Sequence, residues 1–156
     1  MMGMAPMERI IWENVDAIRG IVKRAFNGEY LGYNLDPIPF IRIKVKGGVI
    51  EVPITNPAFK PILGKTYRAL DGYEKRRLLA YEASGFFKVH PFYIQLLILD
   101  AIQLSQLLNI RDTDALVRTL LEHPLSQERA GMIGRPGVEW LVSRMIEVGL
   151  LNMPSP

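Results

Sequence analysis

Residues 91–110 read PFYIQLLILDAIQLSQLLNI. The stretch has about the length of a membrane span, but Gln95, Asp100, Gln103 and Gln106 interrupt it. Polar groups without partners are costly in hydrocarbon, so the reading is a central helix of a bundle, from near Pro91 to near Asn109, with no membrane span. Its neighbours carry helix signals of their own. Asp112-Thr113-Asp114 caps a helix that stops at His123-Pro124, and Pro136 opens a last helix with Val138, Leu141, Val142, Met145 and Ile146 at helical spacing. Upstream, Asp71 and Glu74 form a D-x-x-E capping box for a helix reaching Gly85. Asn56 is a candidate cap for a further helix that starts near Pro57 or Pro61 and ends at Leu70. These segments predict an all-helical C-terminal bundle.

The N-terminal part reads differently. Pro6 suits a first helical position, and Ile11, Val15, Ile18, Val22 and Ala25 or Phe26 then recur at helical spacing until Asn27-Gly28 offers a C-cap. This predicts one amphipathic helix. Residues 27–39 have no period and many turn formers, so they predict a connector, with Tyr30 and Tyr33 either stacking on bases or tacking the loop to the body. In residues 40–54, Ile41, Ile43 and Val45 alternate with Arg42, Lys44 and Lys46, and Ile50, Val52 and Ile54 alternate on the return. This predicts a β-hairpin turning at Gly47-Gly48, with Lys44 opposite Glu51 and Val45 opposite Ile50. Six aliphatics would share one face and Arg42, Lys44 and Lys46 the other. The expected fold class is mainly α: an N-terminal amphipathic helix arm, one β-hairpin and a C-terminal helical bundle. Residues 1–39 form the arm and connector, and 40–156 the hairpin plus bundle.

All seven lysines lie between Lys23 and Lys88. Residues 1–90 hold fourteen Lys/Arg against nine Asp/Glu, whereas residues 91–156 hold five against seven. The basic half suits a polyanion and the apolar, slightly acidic half suits protein neighbours. Residues 40–77 alone carry nine cations against three acids, the density that phosphate neutralisation requires. No polar recognition helix is evident, so binding would follow backbone and shape and not base sequence.

With 156 residues the chain fits one ordinary domain plus an extension. Hydrophobic residues at 49% against 22% charged fit burial against other subunits, or a monomer with a large core. Zero cysteines exclude disulfides, thiolate metal sites and Cys nucleophiles. With eleven prolines they fit an intracellular protein of a hot environment. The N-terminus has no basic start or small-residue cleavage site of a secretory signal.

Gly64-Lys65-Thr66 copies the end of a phosphate-binding G-x-x-x-x-G-K-[ST] loop, and residues 96–100 copy a strand ending in a metal-directing aspartate. Against this, Phe59 stands where the first glycine belongs and Pro61 interrupts the loop. His90 and His123 each precede a proline and read as helix-end residues. Asp100 reads as a partner for Arg111 or Arg118, and Arg135 before Pro136 as either an anion site or a loop. No catalytic residue, cofactor, metal or small-molecule substrate is expected.

An amphipathic N-terminal helix, a connector, a basic middle and an apolar helical body together resemble the major coat proteins of rod-shaped and filamentous archaeal viruses. The resemblance is architectural, rests on no diagnostic motif, and does not account for the hairpin. It implies helical arms around double-stranded DNA, bundles outside as a shell, and assembly with copies of itself, alone or with a second similar coat protein. It also implies a place in the virion or the host cytoplasm. The candidates for phosphate contact are Arg19, Lys23, Arg24, Arg42, Lys44, Lys46, Lys60, Lys65, Arg68, Lys75, Arg76 and Arg77. The expected function is a structural nucleoprotein that packages duplex DNA without sequence preference. The alternatives are a cellular chromatin protein or transcription regulator, which would use the hairpin as a wing, and a nucleotide-binding enzyme using Lys65 and Thr66.

Overall fold

The computed structural model describes residues 5–153. The fold is mainly α with a small antiparallel sheet. The elements in order are α1 (Pro6–Glu13), α2 (Val15–Phe26), β1 (Glu29–Asn34), β2 (Phe40–Val45), β3 (Gly48–Pro53), a 3-10 turn (Pro57–Phe59), α3 (Lys60–Arg68), α4 (Gly72–Phe87), α5 (Pro91–Leu107), α6 (Thr113–Glu122) and α7 (Gln127–Glu147). By contacts the chain divides into Met1–Asp71 and Gly72–Pro156. The boundary falls at 71/72 and not at the expected 39/40, because α1 and α2 pack with β1, the 3-10 turn and α3 instead of standing off as an arm.

In the first unit the expected single helix is two. Asn14 leaves helical geometry, with φ −118° and ψ 21°. Its side-chain amide donates to the Ile10 carbonyl at 2.8 Å, the local competition with the helix ladder that makes Asn a poor interior residue. Asn27 then ends α2 in the left-handed region. Gly28 must be glycine for a steric reason: a Cβ there would lie 2.5 Å from Ile43 Cγ2 and 2.8 Å from the Lys44 carbonyl.

The connector contains an unexpected strand. β1 pairs with β2 and β2 with β3, giving a three-stranded meander and not a lone hairpin. The register of β1 shifts between Tyr30 and Gly32, and this bulge erases the alternation by which a strand is recognised. The hairpin turns at Lys46-Gly47, with Val45 opposite Gly48 and Arg42 opposite Glu51. Lys44 therefore faces Val49, not Glu51. The register moves by two residues, so every side chain keeps its expected face. Ile41, Ile43, Val52 and Ile54 are buried, while Val45 is half-buried and Ile50 exposed. Ile10, Ile11, Ile18, Val22, Ile38, Phe59 and Ile62 complete this core.

The second unit is a four-helix bundle of α4 to α7. Leu78, Leu79, Ile94, Leu97, Ile98, Leu116, Val117, Leu120, Val138, Leu141 and Val142 are all but fully buried in it. Gly85 lies inside α4, which ends at Phe87 with Lys88 in the left-handed region. His90 accepts from the Phe92 N–H at the start of α5, and Asp112 accepts from the Ala115 N–H at the start of α6. The last helix begins at Gln127, earlier than expected, and breaks at Gly134, with φ 74° and ψ 173°. Pro136 thus opens only its second half. Two ion pairs brace the bundle: Arg129 to Asp100 at 2.7 Å and Arg144 to Glu82 at 2.8 Å. Asp100 is paired, as expected, but with neither Arg111 nor Arg118. Among the described residues no helix is long and apolar enough to cross a membrane.

Gly28→Ala is expected to destabilise the protein by about 1–3 kcal/mol, the usual cost of overpacking. A lowered urea midpoint with an unchanged denaturant slope is the readout. An unaltered midpoint would show that α2 and β2 do not meet as described.

Candidate nucleic-acid interface

Basic side chains gather where α2 ends and α3 begins. Lys23 and Arg24 occupy the last turn of α2, where positive charge complements the carbonyl end of the helix dipole. The Phe26 ring stacks on Phe59, with centroids 6.1 Å apart. This contact fixes the 3-10 turn beside the end of α2, and Asn56 shapes that turn by accepting from the Ala58 N–H at 2.9 Å. Lys60 follows Phe59 directly, exposed at the first position of α3. One and a half turns on, Lys65 donates to Asn14 Oδ1 at 3.3 Å, which holds α3 beside the joint of α1 and α2. Arg68 closes α3 on its exposed side.

Glycines serve these arginines in an unexpected way. The Arg24 guanidinium lies over Gly20, where a Cβ would approach Nη1 to 2.9 Å. Arg68 folds back toward Gly64 and Arg76 toward Gly72. Each of these guanidinium groups, four residues after its glycine, is laid along its own helix.

The sheet does not offer a net positive face. Arg42 sits 3.6 Å from Glu51, and Lys44 is paired in register with Glu29 of β1. Each of these two cations has a carboxylate as its cross-strand neighbour, and only Lys46, in the turn, extends past them. Arg19 is 3.8 Å from Asp16 and lies over the Tyr30 ring, 5.9 Å from its centroid. Tyr33 donates to Glu8 and accepts from Trp12 Nε1 at 3.0 Å. The two tyrosines thus tack β1 to α1 and α2. Burial holds the Tyr30 phenol above its ordinary pKa, against a smaller opposite pull from Arg19. Tyr33 is also raised, chiefly by its hydrogen bond to Glu8 and then by burial.

Lys75, Arg76 and Arg77 belong to the second unit. Consecutive helical residues point about 100° apart, so these three cannot share a face. The Lys75 ammonium lies near Gly149, beside the carbonyl end of α7, and Arg76 lies over Tyr73. Arg77 has a partner within the protein as well. Of the twelve candidates, Lys23, Arg24 and Lys60 are placed at the end of α2 by the Phe26–Phe59 contact, whereas Lys65 lies by Asn14 at the start of α2, about 18 Å of helix away. Asn14, which positions Lys65, and Glu29, which offsets Lys44, carried no sequence signal, because both act through cross-element contacts.

Gly64, Lys65 and Thr66 lie inside α3. The Thr66 hydroxyl is buried and donates to the Ile62 carbonyl, and the backbone N–H groups are spent on the helix ladder. Residues 96–100 lie in α5 and not in a strand. Arg135 pairs with Glu139 at 3.1 Å, and His123 accepts from the Leu125 N–H. Among the described residues no group of three or more metal-ligating side chains occurs.

No protein-family model matches the chain, and neither the curated proteins nor the solved structures give a match to it.

A spectroscopic titration of the phenols should include a component rising above the ordinary tyrosine value of 10.0. Tyr33→Phe should remove part of it. If the phenol lost in that variant is one titrating at the ordinary value, with the raised component intact, the Glu8 contact is not formed in solution.

Proposed function

We propose that this chain is a non-enzymatic nucleoprotein, a coat or packaging subunit whose first unit binds duplex DNA without sequence preference and whose second unit assembles with copies of itself. The observation that carries the reading is that Lys23, Arg24, Lys60, Lys65 and Arg68, on α2 and α3 of the first unit, are cations without a carboxylate partner among the described residues. All five are exposed, and none forms an ion pair with a carboxylate of the described residues. From Lys60 to Arg68 is about 12 Å of helix, a length over which a duplex carries about seven phosphate charges. Binding by backbone charge is also what remains when no helix offers a row of Asn, Gln and Arg to base edges. The assembly half of the reading rests on the large apolar side chains that the bundle leaves exposed, among them Phe86, Phe92, Leu107 and Leu125.

Five phosphate contacts predict a slope of log affinity against log salt near −4.5, or a loss of about 500-fold between 50 and 200 mM salt. Lys60→Ala with Arg68→Ala should reduce the slope by about 2, at any duplex sequence. Arg42→Ala should leave it unchanged, since Glu51 already offsets that charge. Salt-insensitive binding, or equal losses from both sets, would refute the assignment. Electron microscopy of the protein mixed with duplex DNA should show ordered filaments, and a persistent monomer would refute the packaging role. Strong selection of one DNA sequence would turn the reading toward a transcription regulator.

A further inference from the structure

Aromatic rings gather around the turn between α4 and α5. Phe86 and Phe87 end α4, and Phe92 and Tyr93 lie in the first turn of α5. Trp140 of α7 meets the first two, with ring centroids 5.4 Å from Phe86 and 5.5 Å from Phe87. Phe92 meets Tyr93 at 5.8 Å. Although they touch one another, these rings remain in water: Phe86 is 64%, Phe92 57% and Tyr93 42% exposed. The charge at the same corner has one sign. From Ala83 to Leu99 the chain has no Asp or Glu, and its one formal charge is Lys88. Lys88 is exposed at the left-handed residue that follows α4 and forms no ion pair among the described residues. The acids on the neighbouring turns are already engaged, Glu82 by Arg144 and Glu139 by Arg135.

We infer that this corner seats on an anionic lipid surface, with Phe86 and Phe92 entering the boundary between headgroups and acyl chains and Lys88 held among the lipid phosphates. Each part has its match there. Trp and Tyr suit that boundary because one end of the ring is apolar and the other polar. A lysine buries its stem while its ammonium stays at the headgroups, where the negative surface potential attracts it. Seating is shallow, because among the described residues no helix is long and apolar enough to cross a membrane. A single-stranded nucleic acid would use the same positive charge but needs ring faces for its bases. These rings meet tilted or edge-on, at 46°, 77° and 72°, and so present no row of parallel faces. A second copy docked here about a two-fold axis would set Lys88 near its own mate.

The lipid face goes beyond the packaging reading and does not rest on it. It uses none of the first unit's cations, and it leaves Leu107 and Leu125, 77% and 60% exposed, for contact between copies.

The chain has two tryptophans, so Trp12→Phe leaves Trp140 as a reporter at the corner. Mixed with vesicles of three parts phosphatidylcholine to one part phosphatidylglycerol, the full-length protein should float with the lipid, and Trp140 emission should move to the blue. Phe86→Ser with Phe92→Ser should weaken partition by about tenfold or more while keeping the native helical circular dichroism. Lys88→Gln should weaken it about fivefold and leave the lower partition onto pure phosphatidylcholine unaltered. Absence of flotation overturns the assignment, as does flotation that survives the double substitution. Flotation with Trp140 emission unmoved means attachment through the first unit's cations, and overturns it too. A Trp140 change with a single-stranded oligonucleotide but not with vesicles makes the corner a base platform. Loss of self-association in the double variant, without lipid binding by the unaltered protein, makes it a contact between copies. Either result replaces the lipid face, while duplex binding with its expected salt slope stands or falls separately.

Discussion

The complete burial of Ile41 and Ile43 is the constraint from which the rest of the first unit follows. Both are at 0% exposure, and strand geometry sends Arg42 and Lys44 to the opposite face once those two are inside. Gly28 clears the space in which the end of α2 closes on Ile43. The same closure brings Phe26 to Phe59, and thereby Lys60 to the turn that carries Lys23 and Arg24. A core made of isoleucines thus decides which cations become neighbours, although no cation takes part in it.

Sequence density of positive charge proved a poor guide to net surface charge. The hairpin looked like the most cationic element, yet its partners across the sheet are Glu51 and Glu29. Opposite charges on adjacent strands stabilise the sheet by fractions of a kcal/mol, and in doing so they cancel the field a polyanion would feel. The ends of α2 and α3 have no such cross-strand neighbours. Lys23 and Arg24 in the last turn of α2 and Lys65 and Arg68 in the last turn of α3 are favoured there by the dipole, whereas Lys60 stands at the opposite, positive end of α3.

The second unit separates two tasks that share one helix. α5 buries a full apolar side in the bundle and keeps a second, uncharged side outward. Its single carboxylate is held aside by Arg129, which also donates to the Leu125 carbonyl. Partly buried and doubly hydrogen-bonded, this pair is maintained by geometry as much as by charge.

Local signals in the sequence determined a good deal. The alternation over residues 40–54, the caps at Asn56, His90 and Asp112, the stop at Asn27 and the long apolar run of α5 all depend on neighbours within a few residues, and these elements formed as read. Tertiary structure decided what depends on distant partners. A bulge at Gly32 hid β1, Asn14 split the first helix, Gly134 divided the last one, and the hairpin slid two residues. Arg129, twenty-nine residues from Asp100, took the place expected for nearer arginines. The physical reason is common to all of these: periodicity reports which side of an element is apolar, while register, pairing and net charge are fixed by the surface that the element is packed against.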